Sequence, residues 1–200
     1  MPASAIGVSW PAGWDVVQTA GSVDAANDTT EIRAKIADGT EGATISLTIP
    51  GGAKLAGIVW KITGADSVST GARSPESGGL TSRTTANIDP ISFTPVDPGG
   101  TEDYLWFSCI GMDSETATAT NGTLSNVSAA NTGTAGAVAT NCMIWGGSLA
   151  STASSIGFSA WTSTAPNAGV GAVSVAVYPT PPVTLVLSQG FVDFNDPGVL

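Results

Sequence analysis

The chain has 200 residues, none of them histidine, and carries 16 acidic against six basic side chains, for a net charge of −10. Only 11% of its residues are charged, against about a quarter in an ordinary soluble domain. Histidine is the usual general acid or base near neutral pH, and a negative field repels phosphate backbones, so catalysis and nucleic-acid binding are both disfavoured.

The first predicted elements are two strands joined by a turn. Thr29 to Ile36 alternates between apolar and charged side chains, which is typical of a strand with one face toward water. Residues 37–42 hold turn-forming Asp and Gly, and Ala43 to Ile49 alternates again. The pattern predicts a hairpin made of these two strands.

The middle of the chain holds two apolar runs and two long polar stretches. Leu55 to Ile62 is continuously apolar, which favours a central strand covered on both faces, and Tyr104 to Met112 is a strongly apolar strand. Residues 64–87 and 113–141 are rich in Gly, Ser, Thr and Ala without periodicity, so we expect long surface loops there. Ile88 to Phe93 is a short strand interrupted by Pro90.

The later strands are Cys142 to Trp145, Ile156 to Trp161 and Val170 to Val177. Many short strands with turns between them, and no helical periodicity, predict an all-β fold: a single antiparallel β-sandwich, jelly-roll-like, with long loops. We expect the sandwich domain to span residues 1–179. Residues 180–200 form a C-terminal extension behind a Pro-rich hinge, packing on the sandwich or on a neighbouring subunit.

Two cysteines, Cys109 and Cys142, lie in apolar surroundings and are interpreted as small buried hydrophobes, although a disulfide between them is also open. Residues 1–5 lack the features of a secretory signal, and no apolar run reaches the length of a membrane span.

The acidic side chains are interpreted as solvated charges, and we predict no catalytic residue, cofactor or metal. Asp38 and Glu41 flank a turn, but the spacing of a calcium-binding loop is missing. The acids at 102–103 and at 113 and 115 flank one strand, where two carboxylates of a glycosidase are an alternative. No histidine is present to activate a serine.

The six tryptophans offer a second interpretation, a stacking platform for sugar rings. Trp60 and Trp106 lie inside apolar strands and are predicted to be core. Trp161 has the opposite parity to Ile156 and adjoins polar residues, so it is the best candidate for an exposed or interfacial ring, with core or subunit contact favoured over a ligand site. Four apolar residues of the C-terminal extension are further candidate interface contacts: Leu185, Leu187, Phe191 and Phe194.

Over residues 7 to 179 the chain resembles a family of small β-sandwich structural proteins of tailed bacteriophages. Each matching motif is short, and the order and spacing of the motifs carry the likeness. The motifs are Gly13-Trp14, the run from Ala34 to Ile45, the run from Trp60 to Asp66, the run from Asn87 to Pro90, Leu105 to Phe107 before Gly111 to Asp113, and Ala172 to Pro179.

The resemblance implies a virion structural domain of a head, tail or fibre, without cofactor or catalytic centre. The expected partners are copies of the chain itself, with a trimer as one arrangement, and other virion proteins at the particle surface, after synthesis in the host cytoplasm; membranes and nucleic acid are not expected partners. A capsid decoration or cement role fits a small chain best. The alternative is a host-adhesion or carbohydrate-binding module with a surface glycan as ligand.

One departure from the family is a shorter apolar segment before Gly13. We expect the run from Val183 to Leu187 to fill the missing strand position, either in its own chain or in a neighbour.

Overall fold

The computed structural model describes residues 8–22, 29–49, 55–65, 74–83, 87–96, 100–113, 118–131, 142–164, 170–178 and 186–192. In these ranges every regular element is a strand, and every strand pairing is antiparallel. The predicted all-β antiparallel class is confirmed. The strands are β1 (Asp15–Ser22), β2 (Thr29–Ala34), β3 (Gly57–Thr63), β4 (Glu76–Arg83), β5 (Asn87–Ile88), β6 (Glu102–Asp113), β7 (Ala119–Asn121), β8 (Ser125–Asn131), β9 (Cys142–Ala153), β10 (Trp161–Ser163), β11 (Val170–Val177) and β12 (Val186–Val192).

The centre of the fold is a five-stranded sheet in the order β4-β11-β6-β9-β8. β6 and β9 pair along all 12 residues of each strand. The two most apolar predicted strands, 104–112 and 170–177, are confirmed as β6 and β11. β9 is longer than its predicted range because the ladder continues through Gly146 and Gly147, where backbone hydrogen bonds need no side chain.

Both faces of the central sheet are buried. Alternation along β6 sends Leu105, Phe107 and Cys109 to one face and Trp106 and Ile110 to the other. The two-stranded sheets β1-β2 and β12-β3 lie over the first face, and the small sheet β5-β10-β7 covers part of the second. This sandwich-like layering explains why β6 lacks the polar face of a solvated strand, because water reaches neither side.

Two glycines set the distance between these layers. A Cβ on Gly146 would lie 2.7 Å from the Trp60 ring, and a Cβ on Gly78 would lie 2.6 Å from the Phe93 ring. Both separations are shorter than side chains tolerate, so each aromatic ring occupies the space that a side chain would fill. Because these glycines have no side chain, the covering layers lie close enough to the sheet to pack against it without gaps.

The predicted hairpin is wrong. β2 pairs with β1, and the segment 43–49 forms no strand, making only a bridge from Thr48 to Ser9. The alternation itself is real, because Ile45 and Leu47 are half-buried while their neighbours are exposed. Alternation reports which side chains face the protein but not which strand supplies the hydrogen bonds.

The two predicted long loops are also wrong in part. Residues 64–87 contain β4, and residues 113–141 contain β7 and β8. β4 pairs with β11 and β8 pairs with β9. These strands consist mostly of small and polar residues, so their pairing comes from the neighbouring apolar strand rather than from a pattern of their own.

The apolar run at 55–62 forms β3, but the prediction of a central strand is wrong. β3 lies in a two-stranded sheet with β12, and Lys61 and Thr63 are exposed. Trp60 and Ile62 pack on the central sheet, so one face of the strand is covered. The other face is exposed at the end of the strand that holds Lys61 and Thr63.

The C-terminal strand runs from Val186 to Val192 and pairs with β3 of the same chain. It overlaps the predicted strand only at residues 186 and 187. Leu187 lies opposite Ile62 and Phe191 lies opposite Ile58, whereas Leu185 and Phe194 are outside the described residues. The division into a domain at 1–179 and an extension at 180–200 stays a prediction.

The cysteines do not form a disulfide. Cys109 is buried, as predicted, and burial raises the pKa of its thiol to about 12. Cys142 is only half-buried, so the prediction of a buried side chain is wrong there. The register places Cys109 opposite Gly146 and Cys142 opposite Asp113, four positions apart along the ladder. In the described ranges no helix has the length and apolarity that would cross a membrane.

Candidate functional site

Trp161 is not an exposed ring, and this prediction is wrong. The side chain is 0% exposed, and its Nε1 donates a hydrogen bond of 2.9 Å to Ser108 Oγ beneath the central sheet. Ile156 forms a bridge with Phe93, whereas Trp161 begins β10 between β5 and β7. The two residues belong to different elements, so their parity in the sequence says nothing about a shared face. Trp161 is a core residue.

Trp10 and Trp14 are the tryptophans that meet at the surface. Trp10 follows Ser9, which is hydrogen-bonded through its backbone to Thr48, and Trp14 immediately precedes β1. Between them Gly13 turns the chain with a φ of +85°, a conformation that favours glycine. The two ring centroids are 5.6 Å apart, with the planes inclined at 42°. Both side chains are half-buried, so part of each ring faces water.

An ion pair contacts the Trp10 ring and the backbone of Trp14. Glu31 Oε2 accepts a hydrogen bond of 3.1 Å from Trp10 Nε1, and Glu31 Oε1 accepts one of 2.6 Å from Arg33 Nε. Arg33 also donates from Nη1 to the backbone oxygen of Trp14 at 3.2 Å, and its guanidinium carbon lies 5.8 Å from the Trp10 ring centroid. A single guanidinium–carboxylate pair therefore orients the Trp10 indole and holds the backbone at Trp14, whose ring packs on that of Trp10.

The β1-β2 ladder explains why these side chains share one outer face. Val16 lies opposite Arg33, and the register shifts between Val16 and Gln18. This irregularity turns Val17, together with Ile32, onto the central sheet. Val16 is left 50% exposed beside the charged pair. We call the outer face formed by Trp10, Trp14, Val16, Glu31 and Arg33 the tryptophan patch.

A polar turn adjoins the tryptophan patch. Glu41 accepts hydrogen bonds from the backbone N–H groups of Asp38 and Gly39, and Lys35 Nζ lies 3.1 Å from its Oε1. The backbone hydrogen bonds, with that from Lys35, lower the pKa of Glu41 to about 2. Hydrogen bonds from Thr40 lower the pKa of Asp38. The carboxylates serve donors of their own turn, which supports the interpretation as a turn rather than a cation loop.

The other acidic residues considered as a carboxylate pair lie apart from the tryptophan patch. Asp103 is exposed and accepts a hydrogen bond from Thr152 of the neighbouring strand, while Glu102 is half-buried. Asp113 ends β6 at the opposite end of that strand, and Glu115 lies outside the described residues. Within the described ranges, no group of three or more His, Cys, Asp or Glu side chains is placed to hold a metal ion.

One partly buried polar cluster was not anticipated from the sequence. Tyr178 Oη donates a hydrogen bond of 2.6 Å to Glu76 Oε1, and the Val96 N–H donates one of 2.8 Å to Glu76 Oε2. Burial, followed by the bond to Glu76, raises the pKa of the Tyr178 phenol. The contact joins the start of β4 to the end of β11. Because 102 residues separate the partners, no local pattern could have revealed it.

In the tryptophan patch, the aromatic and charged side chains are partly buried against the protein and partly open to solvent. Its residues were predicted separately, as a strand face and as candidate stacking rings, and only the fold brings them together. A scan against protein-family models, a search of curated proteins and a search of solved structures find no match to this chain.

Proposed function

We propose that this chain is a non-enzymatic structural protein of a tailed-bacteriophage particle, acting as a capsid decoration or cement protein at the particle surface. The observation that carries the proposal is the central sheet, whose two faces are filled by aromatic and aliphatic side chains. Such a fold is a rigid block, and a particle-surface subunit needs rigidity more than a mobile cleft. The particle context of the proposal comes from the resemblance of the sequence motifs to those of phage β-sandwich proteins.

The charge distribution supports assembly into a crowded layer. The net charge of −10 keeps separate particles apart. At physiological salt this repulsion is screened beyond about 8 Å, so what matters in a contact is the local charge. At the tryptophan patch Arg33 pairs with Glu31, and beside it Lys35 pairs with Glu41. A neighbouring subunit can approach this face without meeting an unpaired acidic cluster.

The test is to locate the chain on particles. Antibodies raised against the recombinant protein would be applied to particles purified through a density gradient from cells that carry the gene, and the label imaged by electron microscopy. We expect regular labelling of the particle surface and co-sedimentation of the chain with the particles. A chain that stays in the soluble fraction while unlabelled particles assemble normally would contradict the proposal.

A second candidate function is adhesion to a host glycan, and the tryptophan patch is the observation that favours it. Sugar rings stack their C–H faces on indoles, and their hydroxyl groups hydrogen-bond to carboxylates and guanidinium groups. The patch offers two half-exposed indoles 5.6 Å apart with one group of each charge beside them. The Trp10 ring is already oriented by Glu31 and Arg33, which reduces the entropy lost on binding.

A glycan array separates this candidate from a purely structural role. Trp14→Ala removes one ring, and we expect it to weaken any glycan binding at least tenfold. The matched control is Val96→Ala, which removes a side chain that is 82% exposed outside the patch, and it should leave binding unchanged. Melting curves of both variants verify folding. A wild-type protein that retains no glycan would eliminate the adhesion candidate and leave the structural one.

A further inference from the structure

The last described strand is attached to the fold through one neighbour. β12 pairs with β3 in an unbroken register of seven residues, from Val186 opposite Thr63 to Val192 opposite Gly57. Among the described strands, β3 is the only one to which β12 is hydrogen-bonded. The attachment site of β12 is therefore the edge of β3, not the central sheet.

β3 has its own attachment to the protein. The Trp60 ring packs 5.1 Å from the Phe107 ring and lies over Gly146 of β9. Ile62 packs in the same cluster. These contacts position the edge of β3 independently of β12, so that edge is a preformed acceptor for an added strand.

The chain between the central sheet and β12 is long enough to reach more than one acceptor. β11 is followed by Tyr178, and residues 179–185 with three prolines lead to Val186. An extended chain of that length spans about 28 Å. β11 lies two strands from β9, so with about 5 Å per strand and about 10 Å between layers the lateral distance is roughly 14 Å. Val177 lies four residue pairs along the strands from the level of Gly146 and Trp60, which makes the path to that level roughly 19 Å. The sequence predicts a stiff spacer, since proline favours extended backbone.

Charge does not oppose this contact between two copies. β12 contains no charged residue, and Lys61 is the only charged residue of β3. A second copy with a net charge of −10 would thus bring an uncharged strand to an edge that carries one positive charge. Two acidic chains repel each other as a whole, whereas the two paired strands themselves bring together one positive charge and no negative one.

We propose that β12 is an exchangeable strand that pairs with β3 of a second copy of this chain when copies are crowded. The exchanged ladder would contain the same seven residue pairs. The balance between pairing within one chain and pairing between two chains therefore depends on the spacer and on the local concentration of neighbouring copies. This inference deepens the proposed function by naming the surface through which subunits join. The inference rests on the proposed function, which requires copies of the chain to assemble.

The test uses two full-length chains with different mass tags, coexpressed in a Cys142→Ser background. One chain carries Lys61→Cys and the other carries Ser188→Cys, because these residues are directly opposite in the ladder. Opposite residues in antiparallel strands have Cα atoms about 4.5–5.5 Å apart, which suits a disulfide. Cys109 is buried and does not compete. We expect a disulfide-linked heterodimer on a non-reducing gel, increasing with protein concentration.

The matched control pairs Lys61→Cys with Val192→Cys, which is four positions out of register, and should give at least tenfold less heterodimer. A chain carrying both Lys61→Cys and Ser188→Cys measures pairing within one molecule. A cross-link in that double variant without a heterodimer in the mixture would overturn the exchange, as would no cross-link in either. The gel uses purified protein, so failure here leaves the particle-labelling test of the proposed function standing.

Discussion

The central sheet and the tryptophan patch both depend on tryptophan, but in opposite ways. Trp106 and Trp161 are fully buried under the central sheet, and their Nε1 groups donate to Ser151 O and Ser108 Oγ. Trp10 and Trp14 lie on the outer face of β1-β2, where a partly exposed ion pair contacts the Trp10 ring and the Trp14 backbone. In the first region apolar burial supplies the free energy, and in the second a charge pair supplies mainly orientation.

The difference indicates how the molecule divides its tasks. Burying a large aromatic side chain stabilises a fold by several kcal/mol, whereas a solvent-exposed ion pair contributes about 0–1 kcal/mol. The central sheet is therefore expected to stay folded when interactions in the tryptophan patch are removed. The tryptophan patch is free to serve recognition, since its substitutions are expected to change binding more than stability. The following experiments would break or sharpen this distinction.

The largest expected effect is that of Trp161→Ala. It removes a fully buried indole and leaves Ser108 without its donor, and we expect the free energy of unfolding to fall by about 3–5 kcal/mol in urea denaturation. Trp14→Ala is the matched substitution in the patch, where the ring is half-exposed, and it should cost no more than about 1 kcal/mol. Equal losses for both variants would remove the distinction between the two regions.

Gly146→Ala should have the next largest effect. The added Cβ would lie 2.7 Å from the Trp60 ring and 3.2 Å from Cys109 Sγ, so we expect a loss of about 1–3 kcal/mol from overpacking. Combining it with Trp60→Leu should cost less than the sum of the two single changes, because the smaller side chain makes room. Gly42→Ala is the control, with its nearest neighbouring atom 4.0 Å away. An additive double variant would show that the close approach is not the cause.

Glu31→Gln tests the ion pair of the tryptophan patch. We expect it to reduce the free energy of unfolding by at most about 1 kcal/mol, because both partners are partly solvated. The difference from wild type should shrink as salt rises from about 0.05 M to about 1 M, where the Debye length falls to about 3 Å. Asp89→Asn, an exposed acid outside the patch, is the control. A salt-independent loss above about 2 kcal/mol would mean that the pair is part of the core energetics.

The smallest effect is expected at the turn beside the patch. The pKa of Glu41 is lowered to about 2 from an ordinary 4.5, so its contribution to folding is present above pH 4.5 and is lost as the pH falls toward 2. The amide resonances of Asp38 and Gly39, which donate to Glu41, should shift with a midpoint near pH 2 when followed by NMR. The midpoint of thermal unfolding should hardly respond to the loss of this contact.

Lys35→Met removes one of the groups that lower the Glu41 pKa, so the same shifts should then appear at a higher pH. Thr40→Val is the matched change for Asp38 and should raise the Asp38 pKa. It should move the Glu41 pKa less than Lys35→Met does. Identical titration curves in wild type and Lys35→Met would contradict the role of the ion pair.

The apolar strands of the fold could be read from the sequence because their own side chains select them. The runs at 104–112 and 170–177 are confirmed as β6 and β11, and the half-buried alternation at 29–36 is confirmed through residue 34 as β2. The strands β4 and β8 could not be predicted, since Ser, Gly, Thr and Asn carry little signal of their own. They exist because β11 and β9 offer hydrogen-bonding edges to them.

The candidate site was predicted only in pieces. Alternation places Glu31, Arg33 and Lys35 on one face, and the structure agrees for Glu31 and Arg33 of β2, whereas Lys35 follows the end of that strand. The contact of Trp10 with Glu31 spans 21 positions of sequence, and that of Arg33 with Trp14 spans 19. Separations of this size leave no periodic signature. The choice of Trp161 failed for a related reason, since parity was carried across the irregular segment between Ile156 and β10.

By itself, the sequence determined the all-β class, the most apolar strands and the acidic, histidine-free character that disfavours ordinary acid–base chemistry. These properties depend on side chains and their nearest neighbours along the chain. Only the tertiary structure decided which strands pair, which tryptophans are buried and where the ion pairs form. Those outcomes depend on backbone groups that every residue carries and on contacts between distant segments, so they are settled when the layers pack together.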